Sequence, residues 1–324
     1  MACRARILLL VPLAAHAYLP LPYVKPVFRP PAEAGSLILQ VTIGCSWNQC
    51  SFCEMYQQPQ QKFRAKPLED IENDLALAAE MSAEFSAPVK RVFLADGDAM
   101  GLPTKRLAAI LKAIRTIIPS VSRVSSYCLP RNVRSKDVSD LKMLQQLGLR
   151  TMYVGCESGD DTVLRCVRKG EDQESSVAAL HKLHDAGLKT SVMILHGLGG
   201  RVLSEQHVRG SAELITRAPP TYLSTLVVSF PLGQERHREG FDAEGVAFEM
   251  LSTGEVVDEQ RSLLEQLDGL EGGSGNGVIF RSDHASNYLP LKGTLPRDRK
   301  RLISELGAAQ RGEVGLRPEW MRGL

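Results

Sequence analysis

Short apolar stretches alternate with longer amphipathic stretches between residues 36 and 230. Most of the apolar stretches are rich in Val, Ile, Leu and Thr and carry few charges, which is typical of strands that are covered on both faces. This alternation predicts βα units and a parallel sheet. Six strands are predicted, over residues 37–43, 91–95, 121–127, 151–155, 188–195 and 222–229.

The amphipathic stretches place apolar residues three and four positions apart, as expected for helices that pack one face on a sheet. Several begin at Ser or Thr, which cap helix N-termini, and Gly148 and Gly187 stand where a helix should end. The glycine-rich stretch at 269–277 is predicted to be a loop. Helices are predicted over residues 68–82, 104–117, 135–147, 175–186, 204–217 and 257–267.

Six such units can build either a partly closed barrel or an open doubly wound sheet, and the spacing alone fits both. Both folds place ligands at the carboxyl ends of the strands, so the residues that follow each strand are the first candidates for chemistry. The predicted division is a leader or N-terminal extension at 1–35, a core at 36–235 and a C-terminal extension at 236–324.

Composition narrows the function classes only a little. With 324 residues, of which 44% are hydrophobic and 23% charged, the chain suits one large domain with terminal additions. The net charge of +2 gives no support for a nucleic-acid partner or an anionic membrane surface. Every apolar run is broken before it reaches the length of a membrane span, so no span is predicted. Hydrolase signatures such as Gly-x-Ser-x-Gly and His-Glu-x-x-His are absent.

The N-terminus has features of a targeting segment. Arg4 and Arg6 precede an apolar run at 7–15, and residues 15–17 have the small-x-small form of a signal-peptidase site. An organellar leader of the plastid type is one interpretation. An apolar tail without a targeting role, or an artefact of the assigned start, is the other, and the protein would then be cytoplasmic.

Three of the seven cysteines, Cys45, Cys50 and Cys53, lie on one loop directly after the first predicted strand. Thiolates suit zinc and iron–sulfur clusters, but a closed structural zinc site needs four ligands. A four-iron cluster held by three thiolates leaves one iron open to another ligand, and an open metal position is typical of catalysis. The structural alternative is a zinc site completed by Cys128 or Cys156.

The loop sequence GCSWNQCSFC resembles the cluster loop of the radical S-adenosylmethionine (SAM) superfamily, including the aromatic residue Phe52 before the last cysteine. Four residues separate the first two cysteines, where most of that superfamily has three. Some of its groups share the longer spacing together with a Met-Tyr and a Phe-Arg pair, here residues 55–56 and 63–64. The resemblance to these groups extends from about residue 27 onward.

This resemblance implies an α/β fold with a partial parallel (β/α)6 barrel and a C-terminal extension. It also implies an enzyme with a [4Fe-4S] cluster and SAM as cofactors, and an electron donor such as ferredoxin or flavodoxin. One electron passed to SAM would give methionine and a 5′-deoxyadenosyl radical, which takes a hydrogen atom from a substrate that the sequence does not identify.

Several alternatives stay open at this point. Within the enzyme class they range from a porphyrinogen-type decarboxylating oxidase to a modifier of RNA or peptides, although no added RNA-binding domain is evident. A cluster- or zinc-binding protein that senses metal or redox state without SAM turnover belongs to a different class. A degenerate barrel that serves as a binding scaffold is a third.

Two further strand ends fit the resemblance. Asp96, Gly97 and Asp98 follow the second strand, where the family has a glycine-rich segment whose acidic end contacts the SAM amino group; the alternative is a plain turn. Glu157 and Ser158 follow the fourth strand, where the family's carboxylate holds the ribose hydroxyls. For Glu157 the alternative is a carboxylate at a helix start.

Other polar residues are weaker candidates. Arg168 and Lys169 lie where related enzymes place a cation for the SAM carboxylate, but such a pair is more often solvated. The glycine-rich stretch at 196–200 could approach the adenine. Arg281 and His284 are candidate substrate contacts in the polar stretch 280–288, which resembles a stretch in the similar groups and would close the barrel mouth; a hydrogen-bonded loop is the alternative.

Overall fold

The computed structural model describes residues 21–267, 270 and 277–323. The apolar run at 7–15, the signal-peptidase pattern at 15–17 and most of the glycine-rich loop lie outside the described residues. Within these residues there are ten strands: β1 (Leu37–Gln40), β2 (Thr42–Ile43), β3 (Arg64–Ala65), β4 (Arg91–Ala95), β5 (Arg123–Cys128), β6 (Leu149–Glu157), β7 (Lys189–His196), β8 (Tyr222–Val227), β9 (Val278–Ser282) and β10 (Leu291–Leu295). The helices are α1 (Leu68–Glu84), α2 (Thr104–Ile117), α3 (Pro130–Arg134), α4 (Val138–Gln146), α5 (Asp161–Cys166), α6 (Gln173–Asp185), α7 (Gly200–Arg217), α8 (Glu235–Ala243), α9 (Thr253–Gln266) and α10 (Arg299–Gln310).

Eight strands form one mostly parallel sheet in the order β1-β4-β5-β6-β7-β8-β9-β10. All neighbours from β1 to β9 pair in parallel, and β10 pairs antiparallel with β9. Six of the parallel strands coincide with the six predicted ones to within a few residues. The predicted α/β fold, a partial parallel barrel with a C-terminal extension, is confirmed.

The packing of the helices distinguishes the barrel from a doubly wound sheet. Side chains of α1, α2, α4, α6 and α7 all join one apolar cluster, together with Leu37, Leu39, Val92 and Leu94 from the sheet. The strand residues between these point to the opposite face, because successive side chains of a strand alternate. There Ile38, Phe93, Ala95 and Tyr153 form a separate small cluster. Helices on one face only are what a barrel requires.

Two elements differ from the predictions. The predicted strand 37–43 is divided, because β2 turns away from β1 and pairs antiparallel with β3. The polar stretch predicted at 280–288 begins inside a strand: β9 extends the sheet beside β8, with Phe280 opposite Leu223 and fully buried. The polar composition of the stretch therefore concealed an apolar residue that anchors it in the sheet.

The segment just before β1 packs against the small cluster on the face of the sheet opposite the helices. The Tyr23 hydroxyl donates to the Ile38 carbonyl over 2.9 Å. The side chain of Gln40 pairs with both backbone groups of Val24, at 2.9 and 3.1 Å. Glu33 is fully buried and accepts a hydrogen bond of 2.8 Å from the Tyr153 hydroxyl. The residues from 21 onward thus form part of the folded core.

No helix in the described part of the chain is both long and apolar enough to cross a lipid bilayer.

Candidate active site

The loop with the three cysteines leaves the sheet at the carboxyl end of β2. Gly44 adopts a left-handed conformation there, with φ at +71°. A Cβ at this position would lie 1.9 Å from the Gln61 carbonyl oxygen, so a larger residue would force the loop away. This glycine therefore sets the direction in which Cys45 and the following residues enter the site.

Hydrogen bonds from several elements hold the loop. The Trp47 indole donates to the Arg168 carbonyl over 2.8 Å, and the backbone amide of Ser51 donates to the Val167 carbonyl over 2.9 Å. The Asn48 side chain donates to the Tyr56 carbonyl over 2.9 Å. The loop is thereby tied to the segment after α5 and closed on itself.

Helix α8 supplies a second clamp that the sequence did not reveal. Arg236 donates to the carbonyls of Cys53 and Asn48, at 3.0 and 3.3 Å. His237 is fully buried, with Nδ1 3.0 Å from Ser51 Oγ and Nε2 3.3 Å from the Leu198 carbonyl. Because a carbonyl only accepts, Nε2 carries the proton and the Ser51 hydroxyl donates to Nδ1.

The three cysteines are free and partly buried. Burial raises the pKa of each thiol, and the neighbouring thiols raise it further for Cys50 and Cys53. The pKa of Cys53 reaches about 12. Thiols whose charges raise one another's pKa resist joint ionisation, whereas a bound cationic metal group replaces their protons. The donor set and its placement on one loop fit a cluster with three cysteine ligands.

The alternative zinc ligands lie elsewhere. Cys128 and Cys156 belong to the main apolar cluster on the helix side of the sheet. Among the described residues, no three His, Cys, Asp or Glu side chains are arranged to bind a single metal ion.

The carboxylates predicted after the second strand follow β4 and are both fully buried. Asp96 accepts hydrogen bonds of 2.9 Å from the Gln40 amide and from the Tyr56 hydroxyl. Burial raises its pKa to about 6 despite these donors. Asp98 accepts from the Ser46 hydroxyl, and burial also raises its pKa. The stretch 96–98 thus contacts the cysteine loop and the residues just after it.

Gly97 allows this approach. A Cβ on Gly97 would lie 2.4 Å from the Tyr56 ring, so the ring packs directly on the backbone between the two aspartates. Tyr56 in turn packs edge-on against Phe28, with ring centroids 5.7 Å apart.

At the end of β6, Glu157 adopts a left-handed conformation with φ at +67°. Its Oε1 lies 3.2 Å from the Lys169 ammonium. The prediction that Arg168 and Lys169 are solvated is therefore wrong for Lys169, which is 4% exposed. It holds for Arg168, which is exposed. Glu157 gives the reason, because a buried lysine is stable when an ionised partner lies beside it. Ser158, also buried, contacts His207.

The candidate substrate contacts lie at the far edge of the sheet. Arg281 is exposed on β9. His284 lies in the loop after β9, where its Nδ1 is 2.8 Å from Ser286 Oγ and its carbonyl accepts a hydrogen bond from Arg317. Burial lowers the pKa of His284. The structure shows a hydrogen-bonded loop for His284, and the role of both residues stays a prediction.

Comparison with known proteins agrees with this geometry. Residues 39–215 match the sequence model of the radical SAM superfamily. A methylthiotransferase-like protein of Methanocaldococcus jannaschii is 24% identical over 182 residues, which are 53% of this chain and 38% of that protein.

Two solved structures are similar. Coproporphyrinogen III oxidase from Escherichia coli, described as a radical SAM enzyme, superposes with a TM-score of 0.53 at 17% identity, over 72% of this chain and 52% of that one. The radical SAM methyltransferase TsrM from Kitasatospora setae, with cobalamin and a [4Fe-4S] cluster bound, gives a TM-score of 0.48 at 17% identity, over 60% and 34%. The oxidase supports the fold, and this chain spans about a third to a half of each of these three relatives.

Proposed function

Because this chain belongs to the radical SAM superfamily, which its residues 39–215 match, we propose that it cleaves SAM reductively. The resulting 5′-deoxyadenosyl radical takes a hydrogen atom from a substrate. The protein is an enzyme that uses a [4Fe-4S] cluster and SAM.

The chain's own residues would bind and orient the reacting groups. Cys45, Cys50 and Cys53 would hold the cluster, which, with SAM bound, supplies the electron and the radical chemistry. An ionised Asp96 can accept hydrogen bonds from the SAM ammonium. Glu157 can accept hydrogen bonds from ribose hydroxyls, and Lys169 holds its carboxylate in place.

One observation carries the proposal: the three-cysteine loop and the two buried acidic strand ends meet at the same edge of the sheet. The Ser46 hydroxyl joins the loop to Asp98. Lys169, which is paired with Glu157, lies with its ammonium 6.0 Å from the centroid of the Phe52 ring on the same loop. Buried carboxylates are costly, so their convergence on the cysteine loop favours a polar ligand there over a purely structural metal site.

The proposed function does not include the identity of the substrate. The methylthiotransferase-like relative and the coproporphyrinogen oxidase carry different reactions in their names, and each is only distantly similar. A small one-electron donor such as ferredoxin or flavodoxin is proposed as the reductant. A sensor that never turns over SAM is less consistent with the site, because sensing does not require the acidic strand ends.

The test begins with anaerobic reconstitution with iron and sulfide, followed by SAM and dithionite. Wild-type protein should release 5′-deoxyadenosine, and Cys50→Ala should bind less iron and release none. Cys128→Ala, in the apolar cluster, is the matched control and should behave like wild type. Wild-type protein that binds only zinc, or a cluster that does not respond to SAM, would contradict the proposal.

A further inference from the structure

Helix α9, in the predicted C-terminal extension, carries a carboxylate that is deeply buried behind the strand ends. The Glu259 side chain is 0% exposed. Its Oε1 accepts a hydrogen bond of 2.7 Å from the backbone amide of Gly197 and lies 3.2 Å from His196 Nδ1. Its Oε2 accepts from the Ser204 hydroxyl on α7. The carboxylate thus holds the first residues of the loop after β7.

The same carboxylate also faces the loop after β6. His207 on α7 is 1% exposed, with Nε2 3.9 Å from Glu259 Oε1 and Nδ1 2.8 Å from Ser158 Oγ. Burial lowers the pKa of His207, so the imidazole is neutral near pH 7. If the Ser158 hydroxyl donates to Nδ1, the ring proton is on Nε2 and faces the carboxylate. Ser158 directly follows Glu157.

The α7 backbone packs tightly onto this strand end. A Cβ on Gly159 would lie 2.1 Å from the Gly210 carbonyl oxygen, and one on Gly210 would lie 2.6 Å from the Gly159 oxygen. The amide of Gly159 also donates to the Ser211 hydroxyl over 3.0 Å. The position of α7 therefore sets the position of the loop after β6, and Glu259 joins α7 to α9 through Ser204.

The proposed function leaves this group without a role. Glu259 lies on the helix side of the sheet with His196, whereas Asp96 and Glu157 converge on the cysteine loop. An ionised carboxylate in such a place is costly unless it is paired and fully hydrogen-bonded. Glu259 has a backbone donor, a hydroxyl donor and two imidazoles around it. Burial alone would raise its pKa, but the histidines and the Ser204 hydroxyl outweigh burial and lower it. The carboxylate contacts the loop after β7 directly through Gly197, and it is connected to the loop after β6 through His207 and Ser158.

We propose that Glu259 is a positioning residue for SAM. Its carboxylate holds the loops after β6 and β7 in the arrangement that binds the ribose and the adenine. This inference rests on the proposed function, because those loops would contact SAM only in an enzyme that binds it. It assigns the C-terminal extension a part in cofactor binding in addition to the predicted closure of the barrel mouth.

The test compares variants by SAM binding to the cluster-loaded protein and by hydrogen exchange without SAM. Glu259→Gln keeps the side-chain shape and removes the charge. His207→Gln breaks the connection to Ser158 while it leaves the carboxylate under Gly197. Glu265→Gln, on the same helix but 45% exposed, is the matched control. Iron content and melting temperature are measured for each variant.

We expect Glu259→Gln and His207→Gln to weaken SAM binding by about tenfold or more, since small displacements of positioning groups have effects of this size. Iron content should match wild type, and exchange should accelerate in peptides 155–160 and 196–200 while the sheet core is unchanged. Glu265→Gln should match wild type in every measurement. If Glu259→Gln does not fold, SAM binding and hydrogen exchange of His207→Gln test the inference.

SAM affinity within twofold of wild type in the folded variants would overturn the inference, as would faster exchange throughout the protein with uniformly weaker binding. Failure of the proposed function looks different, because the wild-type protein itself would then not bind SAM or release 5′-deoxyadenosine. In that case the inferred role of Glu259 in SAM binding is also wrong. The exchange measurement still shows whether Glu259 holds the two loops.

Discussion

Lys169 Nζ lies 3.2 Å from Glu157 Oε1, and the two side chains are only 4% and 11% exposed. The pair joins the end of β6 to the segment after α5, which also holds the cysteine loop through the carbonyls of Val167 and Arg168. One ion pair therefore sets the separation between a predicted SAM contact and the cluster ligands.

Removing one member of this pair should destabilise the protein. Lys169→Met leaves the Glu157 carboxylate buried without a counter-ion, and breaking such a pair costs about 3–5 kcal/mol. Adding Glu157→Gln to Lys169→Met should recover most of the loss, because the uncompensated charge is gone. Urea unfolding of the cluster-free protein measures both, with the exposed Arg168→Met as control. If Lys169→Met were as stable as the wild type, the ion pair would not contribute this free energy of unfolding.

The α8 clamp should affect cluster retention. Arg236→Met removes two charge-assisted hydrogen bonds to the carbonyls of Asn48 and Cys53, each worth about 1.5–3 kcal/mol. We expect several-fold faster loss of iron to a chelator than in the wild type. Arg238→Met is the control, because Arg238 is exposed on the same helix and contacts Gln234. Equal rates of iron loss in the two variants would refute a specific clamp.

His237 should make stability depend on pH. Burial lowers its pKa from 6.5 to about 4 in the folded protein, so the unfolded chain binds the proton more tightly. Its contribution is constant above pH 6.5, and the protein loses stability as the pH falls from 6.5 to 4, by about 3 kcal/mol at most. His237→Phe keeps the packing with the surrounding aromatic rings and should flatten this part of the profile. Unfolding of the cluster-free protein at pH 7 and pH 4.5 gives the difference, and parallel profiles would contradict it.

Asp96 should make SAM binding depend on pH in a different window. Its pKa of about 6 means that the carboxylate is ionised at pH 7.5 and becomes neutral as the pH falls below 6. If it accepts the SAM ammonium, affinity should fall by up to about tenfold per pH unit below 6. Asp96→Asn should bind weakly at every pH. Calorimetric titration between pH 5.5 and 8 measures this dependence, and a flat wild-type profile would remove Asp96 from the ammonium contact.

The regular elements were predictable because their signal is local. The strand at 91–95 and the helix at 104–117 have the predicted bounds, since a short apolar run and helical spacing are both set by neighbouring residues. Gly148 and Gly187 have positive φ after α4 and α6, as their positions indicated. The cysteine loop was equally evident, because its three ligands are close in sequence.

The remaining parts of the site depend on contacts between distant residues. Arg236 meets Asn48 across 188 positions, and Glu259 meets Gly197 across 62. No periodicity or spacing reports such pairs, and each residue resembles an ordinary charged position of a surface helix. Lys169 was misjudged for the same reason, because its burial depends on Glu157, twelve positions earlier.

The segment before β1 limits how far the N-terminus can be trimmed. Val24 holds the Gln40 amide, and that amide donates to Asp96. Cleavage after residue 17, at the predicted signal-peptidase site, would leave this chain of contacts complete. Processing beyond residue 24 would release Gln40 and, through it, a carboxylate on which SAM binding is proposed to depend. Processing that removes Val24 would therefore weaken the binding of the cofactor by the mature protein.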